Sequence, residues 1–150
     1  MDPAPKNLKP AVAASLAKWH GMVASANMDG LSAITHPDAI FRSPAVYSPY
    51  PSAAALRMVL GAAVQVFEDF TYHRQLASED GLSVVLEFSA RVGDRQLKGI
   101  DLIRFDEDGK IVEFEVMVRP MSGLMALAQA MGARLGDKLG NGAAGLKQKA

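Results

Sequence analysis

Gly99-Ile100-Asp101-Leu102-Ile103-Arg104-Phe105 has the pattern of a strand with one acid in its middle. It turns through Asp106-Glu107-Asp108-Gly109 and continues as Lys110-Ile111-Val112-Glu113-Phe114-Glu115-Val116-Met117-Val118-Arg119-Pro120. Side chains alternate between the two faces of a strand, so register decides what Asp101 faces. Upstream, Leu82 to Val92 reads as a strand ending in a Gly93-Asp94 hairpin turn, and Phe70 to Leu76 as another. The two-residue turn sets Leu86 opposite Asp101 and Phe88 opposite Gly99. A four-residue loop over Asp106 to Gly109 sets Ile103 opposite Val112 and Asp101 opposite Phe114. One face then carries Val84, Leu86, Phe88, Ile103, Phe105, Val112, Phe114 and Val116, with Asp101 among them. The other carries Glu87, Arg91, Lys98, Arg104, Glu113 and Glu115, with Ile100, Leu102 and Met117 in between. A three-residue loop would turn Glu113 and Glu115 inward beside Asp101; the four-residue register keeps both in water. A carboxylate on an apolar face is costly unless it is paired, hydrogen-bonded or protonated. Two readings of Asp101 follow. It is either an acid facing a pocket, or a structural group paired with Arg42, a histidine or Trp19 Nε1–H.

Helical patterns surround this meander. Leu8, Val12, Leu16, Trp19 and Val23 recur roughly once per turn, which predicts a first helix to about Ala26. Met28 to Ile34 predicts a short second helix. His36-Pro37-Asp38 predicts a turn, and Ala39 to Ser43 a short strand stopped by Pro44. Ser52 is placed as the N-cap of a helix ending near Phe67, with Leu56, Val59, Leu60 and Ala63 on one face. Ser122 to Leu135 predicts a closing helix. Residues 1–7 form a Pro-rich lead-in, residues 8–135 one domain, and residues 136–150 a frayed tail. The fold class is α+β, with helices over the concave side of a curved antiparallel sheet. A cavity between the two layers is a natural ligand site.

The chain has 150 residues, 49% of them hydrophobic, which suits one domain with a filled core. Lys+Arg and Asp+Glu number 16 each, so no positive excess exists to attract a nucleic acid. Zero net charge also eases self-association. Without cysteine there is no disulfide and no thiolate chemistry. No apolar run approaches the roughly 20 residues of a membrane span. Met1-Asp2-Pro3-Ala4-Pro5-Lys6 lacks the layout of a signal peptide, so a cytoplasmic protein is expected. The apolar outer positions Ile100, Leu102 and Met117 make a homodimer the expected assembly.

Several pieces in this order resemble the nuclear transport factor 2-like superfamily and its bacterial SnoaL-like members. They are an inward Trp19 on the first helix, Asn27-Met28-Asp29-Gly30-Leu31, Asp38-Ala39-Ile40-Phe41-Arg42-Ser43-Pro44, and Gly99-Ile100-Asp101 with Asp108-Gly109-Lys110-Ile111. The resemblance spans roughly residues 8–135. It implies a cone-shaped, cystatin-like sheet wrapped around the N-terminal helices. It does not imply one function, because the superfamily hosts isomerases, dehydratases, cyclases, hydrolases and binding domains. Against a ketosteroid isomerase pocket, Asp101 falls on the acid donor, Trp19 on the tyrosine and Ser43 on the base. A serine hydroxyl cannot take that proton unaided, so this chemistry is not expected. Against a limonene-epoxide-hydrolase pocket, Gly99 falls on the arginine and Arg119 on the second aspartate, so that triad is absent. A SnoaL-like cyclase uses one aspartate as acid/base, and Gly99-Ile100-Asp101 matches its motif.

Asp101 is therefore the candidate catalytic acid/base. The candidate ligand contacts from the sheet face are Leu86, Phe88, Phe114 and Val116. The others are Trp19, Phe41, Ser43, Tyr47, Tyr50 and Tyr72. Tyr47 and Tyr50 lie on a proline-held loop near the expected cavity entrance. His20, His36 and His73 show no His-x-His or His-x₃-His spacing, so no metal site is expected, and no cofactor. Met121, Met125 and Met131 read as core filler. The leading expectation is a small-molecule-binding domain for a hydrophobic or amphipathic ligand. The alternatives are a cofactor-independent cyclase, isomerase or dehydratase acting through Asp101, and a homodimeric interaction module.

Overall fold

A computed structural model describes residues 1–136. Helix α1 spans Pro10–Ser25 and buries Val12, Leu16 and Trp19 on one side. Proline at its first position suits a helix start, because the missing N–H would be unpaired there anyway. A 3₁₀ turn, Leu31–Ile34, leads into β1, Thr35–Arg42. Helix α2, Ala53–Val66, is capped by Ser52, whose Oγ accepts the Ala55 N–H at 3.0 Å. Strands β2 (Glu68–Ala77), β3 (Ser83–Val92), β4 (Arg95–Phe105) and β5 (Ile111–Arg119) follow, and α3, Met121–Leu135, closes the fold. No helix among the described residues is long and apolar enough to cross a membrane.

The strands form one sheet in the order β1-β5-β4-β3-β2. The meander β2 to β5 is antiparallel as the pattern predicts. Strand β1 instead pairs with β5 in parallel, so the sheet is mixed. The cause is connectivity: after β1 the chain crosses through α2 to the far edge, and the meander brings β5 back alongside β1. The expected turn at His36-Pro37-Asp38 lies inside β1. A register shift between Thr35 and Ile40 absorbs it.

The β3–β4 register places Leu86 opposite Asp101 and Phe88 opposite Gly99, as expected. The β4–β5 register differs by two residues. Asp101 lies opposite Val116 and Ile103 opposite Phe114. One residue of the difference arises at the loop, which sets Phe105 opposite Ile111 instead of Lys110, and one at a bulge: Arg104 pairs with Glu113 but Phe105 with Ile111, which leaves Val112 over. A shift of two preserves the faces, so Phe114 and Val116 stay inward, while Ile111 takes the core place expected for Val112. At the loop, Gly109 adopts φ +81, and a Cβ there would lie 2.4 Å from the Ala11 carbonyl. The absence of a side chain lets α1 lie directly on the turn, where Ser15 Oγ–H donates to the Gly109 carbonyl at 2.6 Å. Residues 1–7 are tied to the sheet, with the Asp2 N–H donating to the His73 carbonyl at 2.8 Å. The expected frayed tail lies outside the described residues beyond Gly136.

Candidate functional site

Between the sheet and the helices lies a cavity of about 370 Å³. Its walls come from α1 (Trp19, Val23), β1 (Phe41), the loop between β1 and α2 (Ser43, Tyr50) and α2 (Val59, Ala63). The sheet adds Phe70, Tyr72, Asp101 and Val116, and α3 adds Leu127 and Met131. Asp101 supplies the wall's carboxyl.

Asp101 is buried, with 6% of its surface exposed. Its direct partner is Tyr72, whose hydroxyl lies 2.5 Å from Oδ2. Trp19 stands one step further back, with Nε1–H donating to the Tyr72 oxygen at 3.0 Å. An indole can only donate, so the Tyr72 oxygen accepts from Trp19 and its own hydrogen goes to Asp101. With that hydrogen directed at Oδ2, this oxygen is the acceptor of the pair. Oδ1 has no hydrogen bond from the described residues. The only fully enclosed side-chain polar atom without a partner among them is His20 Nδ1. Asp101 Oδ1 is therefore open to the cavity, and an acid proton on Asp101 sits on that oxygen.

Burial pushes the Asp101 carboxyl up from 3.8 to about 7, while the Tyr72 hydrogen bond pulls the other way. Burial also raises the Tyr72 phenol well above its ordinary value, and the neighbouring carboxylate adds to this. Tyr72 therefore remains a neutral donor. Together the three side chains hold an acid that is poised near neutrality and faces one way.

The remaining predicted residues divide into two groups. Phe41, Ser43, Tyr50 and Val116 line the cavity beside Trp19, Tyr72 and Asp101. Tyr50 is fastened to β1 by two backbone hydrogen bonds with Phe41, and its ring stacks on Phe41 at 6.2 Å. Ser43 Oγ accepts the Ala45 N–H at 3.1 Å. Leu86, Phe88 and Phe114 are fully buried and form a second layer behind the lining. Phe114 backs Trp19 at 5.1 Å and Phe88 backs Phe70 at 4.9 Å. Tyr47 departs from expectation: it is 95% exposed and lines nothing. The loop presents Ala45 and Val46 to the cavity, then bends and leaves Tyr47 in solvent.

The partners weighed for Asp101 are placed differently. Arg42 lies 3.5 Å from Glu113 on the other face. His36 Nδ1 accepts the Asp38 N–H, His73 meets Ser89 Oγ, and neither lines the cavity. Met121 and Met125 are exposed rather than core, and Met131 lines the cavity. The Tyr72–Asp101 contact is legible only as Tyr72 alternating with Phe70. The α3 lining, Leu124 to Leu135, carries the periodicity of any amphipathic helix. Among the described residues no three His, Cys, Asp or Glu side chains converge on a metal site.

The SnoaL-like domain family matches residues 16–114. The chain belongs to this family. Its structural neighbours share the nuclear transport factor 2-like fold. One, from Pseudomonas aeruginosa and described as a steroid delta-isomerase, is 60% identical over 91% of this chain and 98% of its own, with a TM-score of 0.87. A bacterial protein with a cystatin-like fold from Silicibacter pomeroyi is 32% identical over 87% of this chain and 88% of its own, with a TM-score of 0.77. SalBIII, an epoxide hydrolase/cyclase-like enzyme of pyran ring formation in salinomycin, is 19% identical over 74% of this chain and 92% of its own. Its TM-score of 0.60 marks a shared fold alone. No protein of curated function matches the chain.

Proposed function

We propose that this SnoaL-like domain binds a compact, mostly apolar small molecule through one acceptor oxygen, hydrogen-bonded by the protonated carboxyl of Asp101. The inequality of the two Asp101 oxygens carries this reading: Tyr72 holds one, and the other is left to the cavity. A volume of about 370 Å³ lies in the usual small-molecule range of roughly 300–1,000 Å³. A ketone, ester or epoxide oxygen suits a lone donor in an apolar wall. A ligand carboxylate does not, since its charge would be buried unpaired.

A carboxyl at about 7 can also give and take a proton at neutral pH. This supports a second reading, acid–base isomerisation or ring closure without a cofactor. The similarity to the P. aeruginosa protein described as a steroid delta-isomerase favours it. In either reaction Asp101 would act alone as the carboxyl, since no other Asp or Glu among the described residues lines the cavity.

A steroid bearing a β,γ-unsaturated ketone serves as the probe. Binding is followed by the fluorescence of Trp19, the single tryptophan, and turnover by absorbance of the conjugated product. Asparagine reproduces the protonated acid: its oxygen accepts from Tyr72 and its NH₂ faces the cavity. Asp101→Asn is expected to bind the probe as the unaltered protein does and to lose any turnover. Asp101→Leu is expected to lose at least tenfold in affinity. Unchanged affinity in Asp101→Leu would overturn the proposal.

A further inference from the structure

Tyr72 and Gln75 are three residues apart on β2, a spacing that places them on opposite faces of a regular strand. Both are nevertheless buried. Tyr72 pairs with Phe88 and Gln75 with Leu86, with a register shift between them. That bulge turns both side chains to the core face. Strand β2 is an edge strand, so nothing in the sheet itself holds the bulge from outside. The N-terminal segment does so, through the Asp2 N–H on the His73 carbonyl at 2.8 Å.

Gln75 links this segment to α1. Its Nε2–H donates to the Asp2 carbonyl at 2.6 Å. A carbonyl can only accept, so the amide faces Asp2 and Oε1 faces His20 Nε2, 2.6 Å away. His20 must then carry its hydrogen on Nε2, which leaves the enclosed Nδ1 without a partner. Burial lowers the His20 pKa and keeps the ring neutral. The ring meets that of Tyr72 edge to face, 5.1 Å between centroids. Consecutive residues of α1, Trp19 and His20, thus grip the two side chains that the bulge turns inward.

We propose that Asp2, Gln75 and His20 form a clamp that holds the bulge in β2 and so aims the Tyr72 hydroxyl at Asp101, making Gln75 and His20 positioning residues for the site. The inference rests on the reading that Asp101 presents its proton to the cavity. Residues 1–7, a lead-in by sequence, become part of the site's support.

One tryptophan gives one indole N–H resonance, which reports the Trp19–Tyr72 bond. Gln75→Leu keeps buried volume but neither donor nor acceptor. It is expected to speed indole exchange at least tenfold while the core amide of Phe114 keeps its protection. The Asp101 carboxyl, followed by ¹³C NMR, is expected to titrate higher, because the Tyr72 bond holds it down. In a Tyr72→Phe background the same substitution is expected to add nothing. A chain shortened to begin at Lys6 is expected to behave like Gln75→Leu. If both variants leave indole exchange and the Asp101 titration unchanged, the clamp is wrong. If Asp101 of the unaltered protein titrates near 3.8, the proposed function itself falls, and the clamp with it.

Discussion

Holding Asp101 protonated inside the fold makes stability depend on pH in the direction opposite to most carboxyls. The folded carboxyl sits at about 7 against an ordinary 3.8. Below 3.8 both folded and unfolded chains are protonated and nothing is lost. Between 3.8 and about 7 only the unfolded chain releases its proton, so stability falls as pH rises, and above 7 the loss levels off. At about 1.36 kcal/mol for each tenfold change in proton affinity, the loss is on the order of 4 kcal/mol. Urea unfolding across this window is expected to show the unaltered protein weakening relative to Asp101→Asn. Parallel profiles would mean that the carboxyl is not held neutral. How far this residue is legible in sequence follows from the same geometry. Alternation from a two-residue turn is enough to turn Asp101 inward. Its partner is hidden because Tyr72 lies on a strand of irregular register, where parity no longer reports facing.

Helix α3 illustrates the same division among elements. Its periodicity announces a helix, but what it covers depends on how closely it is seated. A Cβ on Gly123 would lie 2.7 Å from Leu97 Cβ and 2.8 Å from the Gln96 carbonyl, so the bare backbone sets α3 against the β3–β4 hairpin. One helical stretch further, Gly132 lines the cavity, and a Cβ there meets nothing within 4 Å among the described residues. The two glycines read alike in sequence, yet one is a point of contact and the other adjoins empty space. Gly132→Leu is therefore expected to fill cavity volume without strain. Replacing glycine inside a helix adds roughly 0.5–1 kcal/mol of stability. The variant is expected to melt no lower than the unaltered protein and to bind the steroid ketone at least tenfold more weakly. A lower melting temperature with unchanged affinity would mean that α3 does not wall the site.

For the whole molecule, the question is what meets the outer face of the sheet. Cross-strand neighbours there form an apolar patch, with Leu102 beside Val85 and Ile100 beside Met117, which is 43% exposed. Charges of both signs surround it: Glu87 lies 2.8 Å from Arg74 and 3.3 Å from Lys98, Arg42 pairs with Glu113, and Glu115 lies opposite Leu102 with no ion pair among the described residues. A face that is apolar at its centre and carries both signs of charge around it can meet a copy of itself about a two-fold axis, with cations of one copy set against anions of the other. We infer that two copies pair through this face, leaving both cavities on the far side of the sheet. Light scattering at about 50 μM is expected to give twice the chain mass, and Leu102→Glu to give the single-chain mass with an unchanged far-ultraviolet spectrum. Leu102 points away from Asp101, so the monomeric variant is expected to bind the steroid ketone with unaltered affinity, separating assembly from the site. A single-chain mass for the unaltered protein at that concentration would remove the pairing and leave the cavity argument intact.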